Sequence, residues 1–159
     1  MLHCSQTVEP RNSTIRWRYC DFSKIAFQYH AVDEKIAYWI ELAEYDLETA
    51  KVMLSGRRLL YVGFMCHQVI EKSLKGFYQH ARKDTPPHTH NLSAIANQGG
   101  LYDEMDETQK GLLDILEPLN VEARYPTQKD QLFRSLTDDR CRNILERTED
   151  LFKWIKRKL

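Results

Sequence analysis

The sequence predicts an all-α protein, an up-and-down bundle of four to five helices. Three observations carry that expectation. Ile36, Trp39, Ile40, Ala43, Leu47, Ala50 and Leu54 step by three or four, the spacing of the buried stripe on an amphipathic helix. The stretch from Val62 to Tyr78, VGFMCHQVIEKSLKGFY, begins apolar on nearly every side and so reads as the central helix of a bundle. No segment carries a strand pattern, and no internal repeat or low-complexity run occurs.

Each element has its own signals. Residues 1–32 hold no sustained period and are expected to form a poorly ordered N-terminal extension. The helical pattern sets in abruptly at Asp33, which also raises the expectation that native translation starts at Val32. Residues 33–159 are read as the bundle. Asp33 and Glu34 suit the positive end of the first helix, and Ser55-Gly56 supplies its stop. A second helix is expected from about Arg58 to Ala81, broken by the run Arg82 to Pro87. A short third helix spans about Asn91 to Asn97, with Thr89 or Asn91 as cap and Gly99-Gly100 as terminator. Asp106 and Gln109 make a capping box for the fourth, which turns Leu112, Leu113, Leu116 and Leu119 inward and should bend at Pro118. Arg124-Tyr125-Pro126 ends it, and 127–136 is read as a loop. Thr137 caps the last helix, whose inner stripe is Ile144, Thr148, Leu151, Phe152 and Ile155.

Composition narrows the function classes. A chain of 159 residues is one domain on the usual prior, able to bury roughly two-thirds of its unfolded surface. Lysine and arginine number 23 against 23 acidic residues, so no global field calls for nucleic acid or an acidic membrane. Cys4, Cys20, Cys66 and Cys141 form no CxxC pair and read as free thiols of a reducing cytoplasm. No apolar run is long enough to span a bilayer, and no signal-peptide core opens the chain.

The candidate site lies on the central helix. Gln68, Glu71, Lys72 and Lys75 fall at i, i+3, i+4 and i+7, on one face of an otherwise apolar helix. Polar groups set there need partners or a cavity. Two readings stay open: a nucleotide-sized cleft, with lysines on phosphates and Gln68 on a base edge, or a Glu71–Lys75 pair on a half-solvated face. Asp46, beside the apolar stripe of the first helix, is placed to pair with Lys72 or Arg124 across the bundle. Arg124 and Tyr125 suit a phosphate and a stacked base, or else a helix cap and a packing contact. His67 reads as a satisfied core histidine. His90 reads as structural, its ring bonded to a backbone carbonyl. His88 and His90 with His80 or Cys66 lack a specific metal spacing, so no metal or cofactor is expected.

At this point the residues resemble a known family. Trp39-Ile40, Ala43-Glu44-Tyr45-Asp46-Leu47 and Ala50 resemble the first-helix pattern of HEPN domains, the higher eukaryotes and prokaryotes nucleotide-binding domains. Cys66-His67-Gln68, Glu71-Lys72 and Leu74-Lys75 are similar to their second helix. Thr89-His90-Asn91-Leu92 and Asn120 with Arg124-Tyr125-Pro126 follow in order. The resemblance covers about Asp33 to Lys158. It implies a helical bundle that often dimerises and accompanies a small nucleotidyltransferase, commonly as a toxin–antitoxin pair. It adds Asn120 to the candidate ligand-binding residues Asp46, Gln68, Glu71, Lys72, Lys75, Arg124 and Tyr125.

Many members of the family are metal-independent RNases that use an arginine and a histidine a few residues apart near the last long helices. Here all six histidines lie at or before His90. Arg124 is followed by tyrosine and proline, and the spacing match Arg82 to His88 lies in the wrong part of the fold. The expectation is therefore a non-catalytic nucleotide- or RNA-binding subunit. It would be cytoplasmic and homodimeric, working with a small nucleotidyltransferase, and Tyr125 or Tyr78 would be a candidate acceptor of a nucleotidyl group. The alternative is an endoribonuclease toxin.

Overall fold

The computed structural model describes residues 22–122 and 135–159. Among them are five α-helices, one 3-10 turn and no strand: α1 Phe22–Ser55, α2 Leu59–Arg82, α3 Leu92–Gly99, the turn Tyr102–Glu104, α4 Glu107–Glu122 and α5 Asp138–Lys156. The all-helical bundle expected from the periodicity is what forms.

α2 is the axis of the bundle. Val62, Cys66, Val69, Ile70 and Leu74 are buried on it, and it packs against α1, α5, α3 and α4, most extensively against α1. Glycine lets two neighbours approach closely. A Cβ on Gly63 would sit 2.6 Å from Leu119 Cδ1 of α4, and one on Gly76 would sit 3.3 Å from Trp39 Cβ of α1. The expected inner stripes are buried, Ile36, Ile40, Ala43, Leu47 and Ala50 on α1 and Ile144, Thr148, Leu151, Phe152 and Ile155 on α5, while Trp39 and Leu54 of the α1 stripe are half-buried.

The caps follow local chemistry. Asn91 Oδ1 accepts from Ala94 N at 2.6 Å, and Gly100, at φ 87°, closes α3 in the left-handed region that only glycine enters without strain. Asp106 and Gln109 bond each other's backbone N–H reciprocally, and Thr137 Oγ1 accepts from Arg140 N. Lys83, also left-handed, ends α2 before the two prolines.

One expectation is corrected. Helix α1 starts at Phe22, so Asp33 and Glu34 lie inside it and not in its first turn. The run Phe22–Val32 contains no glycine or proline to stop a helix extending backwards. Pro118 lies inside α4, as expected, and the helix is described as far as Glu122. The 3-10 turn at Tyr102–Glu104 had no signal in the periodicity. The expected loop at 127–136 lies largely outside the described residues.

Cys66 and Cys141 are free and buried. Burial pushes the Cys66 thiol up to about 12, so it is inert at neutral pH. Cys4 and Cys20 lie outside the described residues. No helix among those described is long and apolar enough to cross a membrane.

Candidate functional site

The polar stripe of α2 meets a partner from a neighbouring element at nearly every position. At its N-terminal end Gln68 Nε2 donates to Asn120 Oδ1 of α4 at 3.4 Å. One turn on, the Lys72 ammonium donates to the Asp46 carboxylate of α1. Glu71 accepts from the Lys75 ammonium at 2.8 Å, and both its oxygens lie 3.0 Å from His90 Nδ1, in the segment leading into α3. Lys75 sits 5.7 Å from the ring centroid of Trp39, whose indole N–H donates to Gln79 at 3.2 Å. The strip therefore runs along α2 between α1 on one edge and α4 with the α3 entry on the other.

Glu71 is its electrostatic centre. The carboxylate side chain is only 6 % exposed. Burial by itself would push its carboxyl up, but the hydrogen bonds from Lys75 and His90 outweigh that and hold it below the ordinary value. It stays ionised and anchors two cationic or proton-donating groups inside the bundle.

The expected salt bridge between Asp46 and Lys72 is present. The Glu71–Lys75 pair is present too, but on a nearly buried face and not a half-solvated one, because α1 covers Lys75 through Trp39. The role expected of His90 is corrected. Its ring bonds the Glu71 carboxylate and is 63 % exposed. It is the backbone carbonyl of His90 that receives a bond, from buried His67 Nε2 at 3.1 Å. His67 is buried in the core, as its apolar surroundings suggested, held through Nε2, while its Nδ1 lies 3.7 Å from Glu71 Oε2, beyond hydrogen-bond distance. Arg82 Nε donates to the Gln98 carbonyl at the end of α3, a structural contact. Tyr78 is half-buried against the Gly99 end of α3. Arg124 and Tyr125 lie outside the described residues. No metal-binding cluster exists among the described residues.

Some contributors had no signal in the sequence. Glu117 of α4 reaches over to accept from the backbone N–H of Leu92 and Ser93, adding an acid to the N-terminus of α3. Trp39 and Gln79 close the far end of the strip. Both contacts depend on how non-adjacent helices are juxtaposed, which spacing along one helix does not encode.

A family model described as HEPN domain matches residues 36–158, most of the chain. The chain belongs to the HEPN family. The crystal structure of TT1696 from Thermus thermophilus is similar in fold, with a TM-score of 0.67 at 18 % identity, over 79 % of this chain and 98 % of that one. At that identity the likeness speaks for the fold alone. No curated protein matches. As a HEPN domain the bundle has its strip on the helix that carries the Cys66-His67-Gln68 and Glu71-Lys72 pattern, with Asp46 and Asn120 bonded to it.

Proposed function

We propose that this HEPN protein is a nucleotide- or RNA-binding subunit that works with a small nucleotidyltransferase in a toxin–antitoxin-like pair, as a homodimer. The observation that carries the reading is the polar strip of α2, with two lysines and two amides gathered along one helix between α1 and α4. Lys72 is the member best suited to a phosphate. Its side chain is 20 % exposed, and its anionic partner among the described residues, Asp46, lies at the same partly open edge. A phosphate oxygen arriving there replaces one carboxylate oxygen with another anion, so the lysine is never left uncompensated. Gln68, joined to Asn120 by one long amide bond, keeps further donor and acceptor capacity for a base edge. No histidine follows His90, so α4 and α5 do not hold the arginine–histidine pair of the family's RNases.

One observation favours the second reading, an endoribonuclease. Glu71 orients the exposed His90 ring through Nδ1, and Nε2 has no partner among the described residues, the arrangement a ring nitrogen needs to meet a bound molecule. An RNA cleavage assay on the purified protein, with His90→Ala and Arg124→Ala beside it, separates the two. The binding reading expects no cleavage above the level of either variant. Cleavage abolished by either substitution would replace it with the nuclease.

A further inference from the structure

The outer side of α1 carries a second apolar stripe. Among the described residues four large apolar side chains are left exposed, and three of them, Tyr38, Tyr45 and Val52, stand seven residues apart on this one helix. Tyr38 is 58 % exposed, Tyr45 73 % and Val52 65 %. Leu42 and Thr49, both half-buried, fall between them. The five step by four, three, four and three, which keeps them within roughly 80° of one another around the helix. The buried stripe of Ile36, Ile40, Ala43, Leu47 and Ala50 occupies the opposite side. The bundle therefore uses one apolar stripe of α1 and leaves the other uncovered. None of the five residues belongs to the polar strip of α2.

Alternating steps of three and four are what two packed helices need to keep one face in contact. Single exposed apolar side chains are ordinary, whereas a row of them on one face marks a contact surface. Tyrosine suits such a seam, since its ring is apolar and its hydroxyl can stay wet at the edge. The charge beside the seam is one-sided. Glu34, Glu41 and Glu48 run along one flank at seven-residue spacing, all of them exposed. Glu41 has no hydrogen bond or ion pair among the described residues, and Glu48 shares Lys51 with Glu149 of α5. The other flank holds Trp39, Asp46 and Met53, and Asp46 is taken by Lys72. Along this length α1 has two lysines, Lys35 one step before the seam and Lys51 held between its acids.

We propose that this face docks an amphipathic helix of a partner protein, one whose apolar seam is flanked by lysine or arginine. Tyr38, Tyr45 and Val52 supply the apolar burial, with Tyr45 at the centre. The glutamate row selects a basic flank and repels an acidic one. The same row speaks against a second copy of this chain. With two such faces laid antiparallel, Glu41 and Glu48 meet the same acids of the copy. Laid parallel, they meet Trp39, Asp46 and Met53, none of them a cation. A row of carboxylates also repels the phosphate backbone of a nucleic acid. Docking here needs no ligand in the strip on α2.

The test is fluorescence anisotropy of two labelled helical peptides of about three heptads, each titrated with the full chain. Both carry leucine at the seam positions; one has lysine on its flanks and its twin has glutamate. The lysine peptide should bind saturably, and the glutamate twin about tenfold more weakly or worse. Tyr45→Lys, at an exposed position, should weaken the lysine peptide by about tenfold. Glu41→Lys combined with Glu48→Lys should exchange the preference and make the glutamate twin the tighter ligand, a gain that misfolding cannot produce. Absence of saturable binding, equal binding of the twins, binding that ignores Tyr45→Lys, or a preference that survives the charge reversal each overturns the proposal. Sedimentation reads the other occupant: a wild-type dimer that Tyr45→Lys splits into monomers assigns the face to a second copy and overturns it as well.

Discussion

Glu71 holds more of this molecule together than its single charge suggests. It neutralises Lys75, whose side chain is only 12 % exposed, and it draws His90 onto the surface of α2. Glu71→Gln keeps the shape but leaves that ammonium without a counter-ion, which should destabilise the fold by about 3 kcal/mol. The urea midpoint should fall with the slope unchanged. The sign of the pH dependence follows from the depressed carboxyl. Its contribution is full above the ordinary value of 4.5 and is lost as the pH falls through the lower folded value. The gap between wild type and Glu71→Gln should therefore close in acid, as read by denaturation at a series of pH values. At this scale the sequence revealed the face shared by Gln68, Glu71, Lys72 and Lys75, because one helix fixes it. It also offered Lys72 as a partner for Asp46. It could not assign His90 to Glu71, because that contact depends on how the segment around the two prolines folds back onto α2.

Element by element, the ends were more legible than the extents. Asn91, Asp106 with Gln109 and Thr137 cap as short-range chemistry requires, and each can be read from a few adjacent residues. Asn91→Ala should cost about 1 kcal/mol in thermal or urea unfolding, since Ala94 N–H loses its acceptor. The start of α1 was missed because the pattern was read only from Asp33, although Phe22, Ile25, Tyr29, Val32 and Ile36 step by three or four and nothing between them forbids a helix. Two glycines make a paired prediction. Gly63→Ala drives a methyl into Leu119 and should destabilise by about 1–3 kcal/mol. Gly111→Ala, on α4 with nothing within 4 Å of the new Cβ, should stabilise by about 0.5–1 kcal/mol. The same urea experiment reads both. Equal effects would mean that the close approach of α2 and α4 is wrong.

For the whole molecule, the bundle and the family were both readable, since four short patterns in register on a helical period leave few alternatives. Function is harder to read, because a HEPN fold hosts several roles and partner surfaces leave no periodic trace. What the structure adds is that the strip on α2 is supplied from α1, α4 and the entry to α3. The central claim is that this strip receives the ligand through Lys72. The most direct measurement is the equilibrium affinity of the purified protein for a short single-stranded RNA, in wild type, Lys72→Ala and Asp46→Asn. The account predicts about tenfold weaker binding for Lys72→Ala, and equal or tighter binding for Asp46→Asn, which removes the competing carboxylate. Equal affinity in wild type and Lys72→Ala would contradict it.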